Sequence, residues 1–280
     1  MTLKEAVACG AKYIERQESI RLVCHLRKLS YTEFFLRENE PLDEETIDFF
    51  LKCVKKRQKD EPLQYITGAW EFMGLEFKTD KRALIPRPET ELLVVEAVNF
   101  IKTRRESQNS PIDVLDVCTG SGCIAISIAD AFDSDTVSVT ATDISPDALS
   151  LARENAEMLL QAKKHVAFIQ SDLLTGINDT FDAIISNPPY ITSEELTSLS
   201  PSVREYEPLL ALDGGVDGLD IYRRLIPDAF AALKTGGALF LETGTVSAEN
   251  LMTEAGFENI RVLRDYAGHE RILIGVKNHV

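Results

Sequence analysis

The residues that end one hydrophobic run carry the first chemical signal in this 280-residue sequence. Phe181 to Ser186 reads as a buried strand and runs straight into Asn187, Pro188, Pro189 and Tyr190. Proline has no N–H for a sheet ladder, so the strand must stop there. Each proline fixes its own φ and confines the residue before it to extended backbone. The result is a stiff corner whose carbonyls are free to face a ligand. The side-chain oxygen of Asn187 and the main-chain oxygen of Pro188 form a pair of acceptors, with the ring of Tyr190 alongside. Such a pair suits a planar nitrogen such as a carboxamide. Its delocalised lone pair makes it a weak nucleophile, and acceptors on its N–H groups orient it and raise its electron density. Rigid placement against a reaction partner can supply roughly 7–11 kcal/mol of the barrier. The plain alternative is a proline-stiffened strand terminator with no chemistry.

A second group surrounds "VLDVCTGSGCIAISIA", which reads as strand, glycine-containing turn and helix. Gly120 and Gly122 let backbone approach a ligand where a side chain would clash. Alone, such a turn is as readily an ordinary tight turn. Here two other strand ends carry acids: Asp143 closes "TATDIS", and Asp172 precedes Leu173 in "QSDLL". Strand ends lie side by side in a doubly wound sheet, and an acid at the second can accept both hydroxyls of a ribose. Asp172 and Leu173 offer an acid and an apolar wall to an adenine. The combination predicts an adenosine site. A dinucleotide site shares the first two features, but its third glycine is replaced here by Ala125. Asp116 adds one more acid aimed at the cofactor region. So many carboxylates suit an ammonium and a sulfonium better than a pyrophosphate, which points to S-adenosylmethionine. Singly, Asp143 and Asp172 could be solvated loop acids; at matching strand ends they weigh together.

These groups need a sheet to hold them. From 112 onward strands and helices alternate, with strands expected at 112–117, 136–142, 165–170, 181–186 and 238–243. Alternation with continuous apolar strands means an α/β fold with a mainly parallel sheet. A closing pair at 259–266 and 271–277, joined by the short "AGHE", predicts an antiparallel hairpin on one edge. A helix is expected over 146–160, with Pro146 in its first turn. Upstream, Gly68 and Gly74 with aromatics between them suggest a hairpin, Pro86 and Pro88 a rigid connector, and Glu89 to Ile101 a helix. "TRRESQNSP", 103–111, reads as a polar loop. Residues 1–75 read as three to five short helices in a bundle. Leu3, Ala6, Val7 and Ile14 share a helical spacing, and Asp43 is the expected cap of the segment through Val54. The expected domains are therefore a helical docking domain at 1–75, a hairpin and connector at 76–90, and the sheet domain at 91–280.

The bulk numbers narrow the partners. The chain is 44% hydrophobic and 27% charged, ordinary for a globular protein. No apolar run reaches transmembrane length and the N-terminus lacks a signal-peptide pattern, so a cytoplasmic location is expected. Five cysteines show no paired spacing, which predicts free thiols and no metal site. A net charge of −15 repels phosphate backbones, so a protein or small-molecule partner is expected rather than direct nucleic acid contact. A monomer is expected.

The full chain resembles the PrmC/HemK family, methyltransferases of the glutamine of peptide chain release factors. The segments that carry the resemblance are "EPLQYITGAWEFMGLEF", "LIPRPETELLV", "LDVCTGSG", "ISNPPYI", "EYEPLLALDGGVDGLDIYRRL" and "RDYAGHERIL". Asn-Pro-Pro-Tyr alone would also suit an adenine amino-methyltransferase; the connector and the segment after the turn are far more specific. The resemblance implies a class I S-adenosylmethionine-dependent methyltransferase domain, Rossmann-like with a seven-stranded sheet, behind the helical domain. It also implies methyl transfer to the amide nitrogen of the glutamine in a Gly-Gly-Gln motif, in support of translation termination. Cys118, Thr119, Gly120, Ser121 and Gly122 would surround the methionine end of the cofactor, Asp143 the ribose, and Asp172 and Leu173 the adenine. Asn187, Pro188, Pro189 and Tyr190 would hold the glutamine amide, and Asn187 would also border the cofactor. Arg87, Glu89 and Glu207 would organise the walls. One position departs: Cys118 stands where the family commonly has glycine.

Overall fold

The computed structural model describes residues 1–107, 110–244, 248–265 and 267–278. It forms two units, Met1–Ala69 with Ser200–Tyr206, and Trp70–Leu199 with Glu207–Val280. The expected boundaries at 75 and 90 are thereby corrected. Phe72 and Phe77 of the hairpin are buried in the core of the sheet, which draws hairpin and connector into the second unit. Residues 200–206 join the first, where the Tyr206 hydroxyl donates to the carbonyl of Lys59 at 2.7 Å.

The first unit is built from α1 (Leu3–Gly10), α2 (Arg16–Arg27), α3 (Tyr31–Arg37), α4 (Glu44–Arg57) and α5 (Leu63–Thr67). Thr2 and Ser30 cap α1 and α3 reciprocally with Glu5 and Glu33. Asp43 caps α4, accepting from the Thr46 N–H at 2.7 Å as its position predicts. Ile20, Phe34, Phe50 and Val54 form the centre of its core. Ile14 lies past the end of α1, although its spacing matches that helix.

The second unit opens with a hairpin, β1 (Ala69–Phe72) and β2 (Leu75–Lys78). Met73 and Gly74 turn it at φ of 51° and 75°, the positive pair that a two-residue hairpin needs. There follow α6 (Pro88–Ser107), β3 (Ile112–Val117), α7 (Cys123–Ala131), β4 (Val137–Asp143), α8 (Pro146–Leu159), β5 (Val166–Gln170) and β6 (Phe181–Ser186). After α9 (Pro201–Arg204), which belongs to the first unit, come α10 (Asp220–Ala232), β7 (Leu233–Glu242), α11 (Glu249–Ala255), β8 (Glu258–Arg264) and β9 (Glu270–Val276).

The main sheet has seven strands in the order β5-β4-β3-β6-β7-β9-β8. All pairs up to β7 are parallel, and β9 is antiparallel to both β7 and β8. This is the class I methyltransferase arrangement. The continuous apolar strands follow from cover on both faces. In β6, Ala183 and Ile185 enter one core with α6 and α7, while Ile184 enters the other with α10. Strand order reverses between β3 and β6, the switch point where such sheets bind ligands.

Two expectations fail at the opposite edge. Residues 103–107, read as polar loop, extend α6, because Arg104 donates to the carbonyls of Thr235 and Gly236 and to Asp182. Positions 108 and 109 of that loop lie outside the described residues. Likewise β7 begins at Leu233 rather than 238, with a break in its register against β6 beside Phe181. The strand expected over 259–266 ends at Arg264, and position 266 is outside the described residues. Among the described residues, no helix is long and apolar enough to cross a membrane.

Candidate active site

A cavity of about 1170 Å³, its open mouth included, lies at the carboxyl ends of β3, β4, β5 and β6. Its walls include Thr119, Gly120, Asp143, Leu173, Asn187 and Pro189. The strand ends predicted to be neighbours are thus brought together.

The turn after β3 is held from behind and from the side. Asp116 is fully buried, and its Oδ2 accepts from the Thr119 hydroxyl at 2.6 Å and the Ala125 N–H at 3.1 Å. Among the described residues its Oδ1 has no partner. Burial pushes the carboxyl up to about 7, the Thr119 and Ala125 donors oppose the rise, and the charge of Asp143 adds to it. Asp116 does not line the cavity, contrary to expectation; it braces the turn. From β4, Asp143 accepts from the Gly120 N–H and the Ser145 N–H, each at 2.9 Å. Burial raises its pKa, and those backbone donors counter the shift. The Ile144 N–H adds a further backbone donor, and the carboxylate still keeps acceptor capacity.

The two glycines divide their work. Gly120 sits at φ 55° and a Cβ there would have only Ala83, 3.9 Å away, as neighbour; it lines the cavity. A Cβ on Gly122 would come within 2.8 Å of Ile126 Cδ1 and 3.1 Å of Ala152 Cβ. Gly122 therefore lets α8 pack on the turn, and it is not among the residues that line the cavity. Cys118 stands at φ 61°, in the left-handed region that glycine occupies freely. Burial, then the charges of Asp143 and Asp116, push its thiol far up, so it stays protonated and is no nucleophile. Ser121 is buried, and its side chain hydrogen-bonds with that of Cys123. At the end of β5, Leu173 is buried at φ 54°, and Asp172 pairs with Arg224 at 2.7 Å.

At β6, the Asn187 Nδ2 donates to Thr90 Oγ1 at 3.2 Å. Asn187 and Pro189 line the cavity, whereas Pro188 and Tyr190 do not. The ring of Tyr190 lines a separate groove with Leu199, Gly244 and Arg271. The segment after the turn explains how this corner is seated. A Cβ on Gly214 would lie 2.7 Å from Tyr190 Cα, and one on Gly218 would lie 2.6 Å from the Tyr190 carbonyl oxygen. Ile191 N–H donates to the Leu212 carbonyl and Gly214 N–H to the Ile191 carbonyl. "LDGGVDGL" is thus a backbone cradle for the Asn-Pro-Pro-Tyr corner.

Sequence reasoning missed Glu242, Thr90 and Tyr222. Glu242 ends β7 beside β6 and is 1% exposed. Its Oε2 accepts from the Thr90 hydroxyl at 2.6 Å and its Oε1 from the Tyr190 hydroxyl at 3.3 Å. The Tyr222 hydroxyl donates to its main-chain carbonyl at 2.7 Å. Burial pushes the Glu242 carboxyl up to about 7 against the pull of the Thr90 and Tyr190 donors, with Glu89 adding negative charge. The available signal was an acid at the end of a strand, the feature that singled out Asp143. Of the expected wall residues, Arg87 bonds Glu207 at 2.6 Å, and Glu207 also accepts from the Ile85 N–H at 3.1 Å.

The site therefore offers a mainly apolar cleft, with the carboxylates of Asp143 and Asp172 and the guanidiniums of Arg82, Arg87 and Arg224 on its walls, beside the amide of Asn187.

Comparison with known proteins identifies the family. A family model described as "PrmC N-terminal domain" matches residues 5–68, and one described as "Methyltransferase small domain" matches residues 99–200. A release factor glutamine methyltransferase of Rhodopirellula baltica is 40% identical over 258 residues, covering 90% of this chain and 86% of its own. One of Moorella thermoacetica is 39% identical over 289 residues, covering 99% of each. A crystal structure titled as the T. thermophilus 16S rRNA N2 G1207 methyltransferase (RsmC) in complex with AdoMet and guanosine shares the fold. Its TM-score is 0.52 at 18% identity, covering 75% of this chain and 50% of that one. With the site geometry and full-length relatives at this identity, the chain belongs to the release factor glutamine methyltransferase family.

Proposed function

We propose that this protein transfers the methyl group of S-adenosylmethionine to the side-chain amide nitrogen of the glutamine in the Gly-Gly-Gln motif of peptide chain release factors. The observation that carries this reading is Asn187, on the cavity wall with its Nδ2 committed to Thr90. Its Oδ1 is thereby left for an N–H donor. The residues present fit the cofactor: Asp143 keeps acceptor capacity for ribose hydroxyls, Leu173 and Ile144 give an apolar wall, and Gly120 leaves its side of the cavity open. Thr119, Ser121 and Cys118 stand at the methionine end, and Asp172 with Leu173 at the adenine.

When bound, S-adenosylmethionine supplies an electrophilic methyl on a sulfonium sulfur and departs as the neutral thioether. The chain's part is orientation. Asn187 Oδ1 and the Pro188 carbonyl accept the two N–H groups of the glutamine amide, which points its nitrogen at the methyl carbon. Pro188 and Pro189 keep that corner from yielding, and Tyr190 closes it. As the N–C bond forms, one N–H proton passes to water, and the product is a neutral secondary amide. Positioning of this kind accounts for a large share of a rate enhancement. The partner is the release factor itself, reached through the helical unit, with the protein acting as a cytoplasmic monomer. The net charge of −15 disfavours direct nucleic acid contact.

The test is methyl transfer from labelled donor to purified release factor, with the acceptor glutamine replaced as control and DNA and RNA as further arms. Asn187→Ala should lower kcat/KM by about 10–100-fold, since loss of one acceptor costs about 1–3 kcal/mol. Full activity in that variant, or labelling of nucleic acid instead, overturns the reading.

A further inference from the structure

A carboxamide such as that of Asn187 can turn over, exchanging its oxygen for its NH2, and only its hydrogen-bond partners decide between the two. If Asn187 receives the glutamine amide, as proposed above, the choice is decisive, because an NH2 facing another amide N–H repels it. The chain contains a device that makes the choice. The Thr90 hydroxyl lies 2.6 Å from Glu242 Oε2 and 3.2 Å from Asn187 Nδ2. A hydroxyl has one proton, and an ionised carboxylate can only accept. Thr90 therefore donates to Glu242 and can only accept from Asn187. Turned over, Asn187 would set its oxygen against a hydroxyl oxygen with no proton left to give.

We propose that Thr90 and Glu242 are positioning residues, a buried relay that locks the Asn187 amide with its oxygen toward the acceptor nitrogen. Both are 1% exposed, so water does not compete for either bond. They come from different elements, the first turn of α6 and the end of β7, and meet beside β6. The relay also grips the far end of the same corner, because Glu242 Oε1 accepts from the Tyr190 hydroxyl. Glu242 is itself fixed through its main chain, where Tyr222 donates to its carbonyl. One carboxylate thus holds both the asparagine and the tyrosine that flank the two prolines.

The experiment compares Thr90→Val, which keeps shape and removes the hydroxyl, with Thr90→Ser, which restores it. Methyl transfer to purified release factor is measured in each, with calorimetric S-adenosylmethionine binding and thermal melting alongside. Thr90→Val should lower kcat about 10–100-fold while KM and cofactor affinity stay within about threefold, and Thr90→Ser should recover most of kcat. In the Asn187→Ala background, Thr90→Val should have no further effect. Thr90→Ala takes its place should Thr90→Val melt below the assay temperature, with the same outcomes. Wild-type kcat in Thr90→Val, or a full additional loss in the double variant, overturns the relay. An active Asn187→Ala variant instead defeats the reading of Asn187 itself, so the two failures are distinct.

Discussion

The guanidinium of Arg87 lies 2.6 Å from Oε1 of Glu207, a carboxylate whose side chain is 1% exposed. Two segments far apart in sequence are clamped by this pair. The connector gives the cavity Ala83, Ile85 and Pro86, and the segment after the turn gives Pro208 and Leu210. Removing one partner of a buried pair leaves the other charge uncompensated. Arg87→Ala should therefore destabilise the protein by about 3 kcal/mol and weaken cofactor binding. Urea unfolding and calorimetry check this; an unchanged unfolding midpoint would mean the pair contributes nothing net.

The relay carboxylate should also be visible in the pH profile. Glu242 must be ionised to accept from both Thr90 and Tyr190, and burial sets its pKa at about 7. Glu89 on α6 pushes that value up with its negative charge, and Arg271 on β9 pulls it down. The Tyr190 and Tyr222 hydroxyls stay protonated there, both raised by burial. Below that pH a proton occupies one carboxyl oxygen, and one donor loses its acceptor. The kcat should therefore rise with pH through about 7, and Glu242→Gln should flatten that limb. An identical limb in the variant would assign it to another group.

How much of this was readable in advance depended on whether partners were close in sequence. Asn187 and the two prolines declared themselves because the backbone restriction is local. Asp143 and Asp172 could be placed because strand ends obey a topological rule. Thr90 and Glu242 were missed because their meaning arises only where α6 and β7 converge, 152 residues apart along the chain. The first part of the polar loop expected at 103–111, residues 103–107, failed for the same reason. Arg104 looks solvated until Thr235, Gly236 and Asp182 are brought beside it. The packing of α8 on Gly122 was not legible, because φ and packing cannot be told from a glycine-rich string.

Asp116 predicts a pH-dependent stability. Its folded pKa of about 7 is raised above that of an ordinary carboxyl, chiefly by burial. For a raised acid, the stabilisation is complete below the unfolded pKa near 4 and is lost as pH rises through the folded value. The span of about 3 units corresponds to an upper limit of about 4 kcal/mol. Asp116→Asn cannot ionise and escapes this loss. Measured by urea unfolding, the variant should gain on the wild type by about 2–4 kcal/mol between pH 4 and pH 8. A difference that is constant with pH would show that the carboxyl does not titrate in that window.

Cys118 is a residue at odds with its backbone. It holds φ 61° in the turn that follows β3, where an L side chain costs about 1–2 kcal/mol. Glycine would remove that strain but would lose about 0.5–1 kcal/mol more chain entropy on folding. Cys118→Gly should therefore stabilise the protein by about 0.5–1 kcal/mol, the difference between those two effects. The cofactor should bind at least as tightly, because Cys118 lines the cavity and a smaller residue there obstructs nothing. In the wild type the raised thiol should resist alkylation at pH 8, since almost none of it is thiolate. Thermal melting and calorimetry test the substitution, and timed iodoacetamide labelling tests the thiol. A destabilised glycine variant would mean that the Cys118 side chain is packed well enough to outweigh the strain of its own backbone.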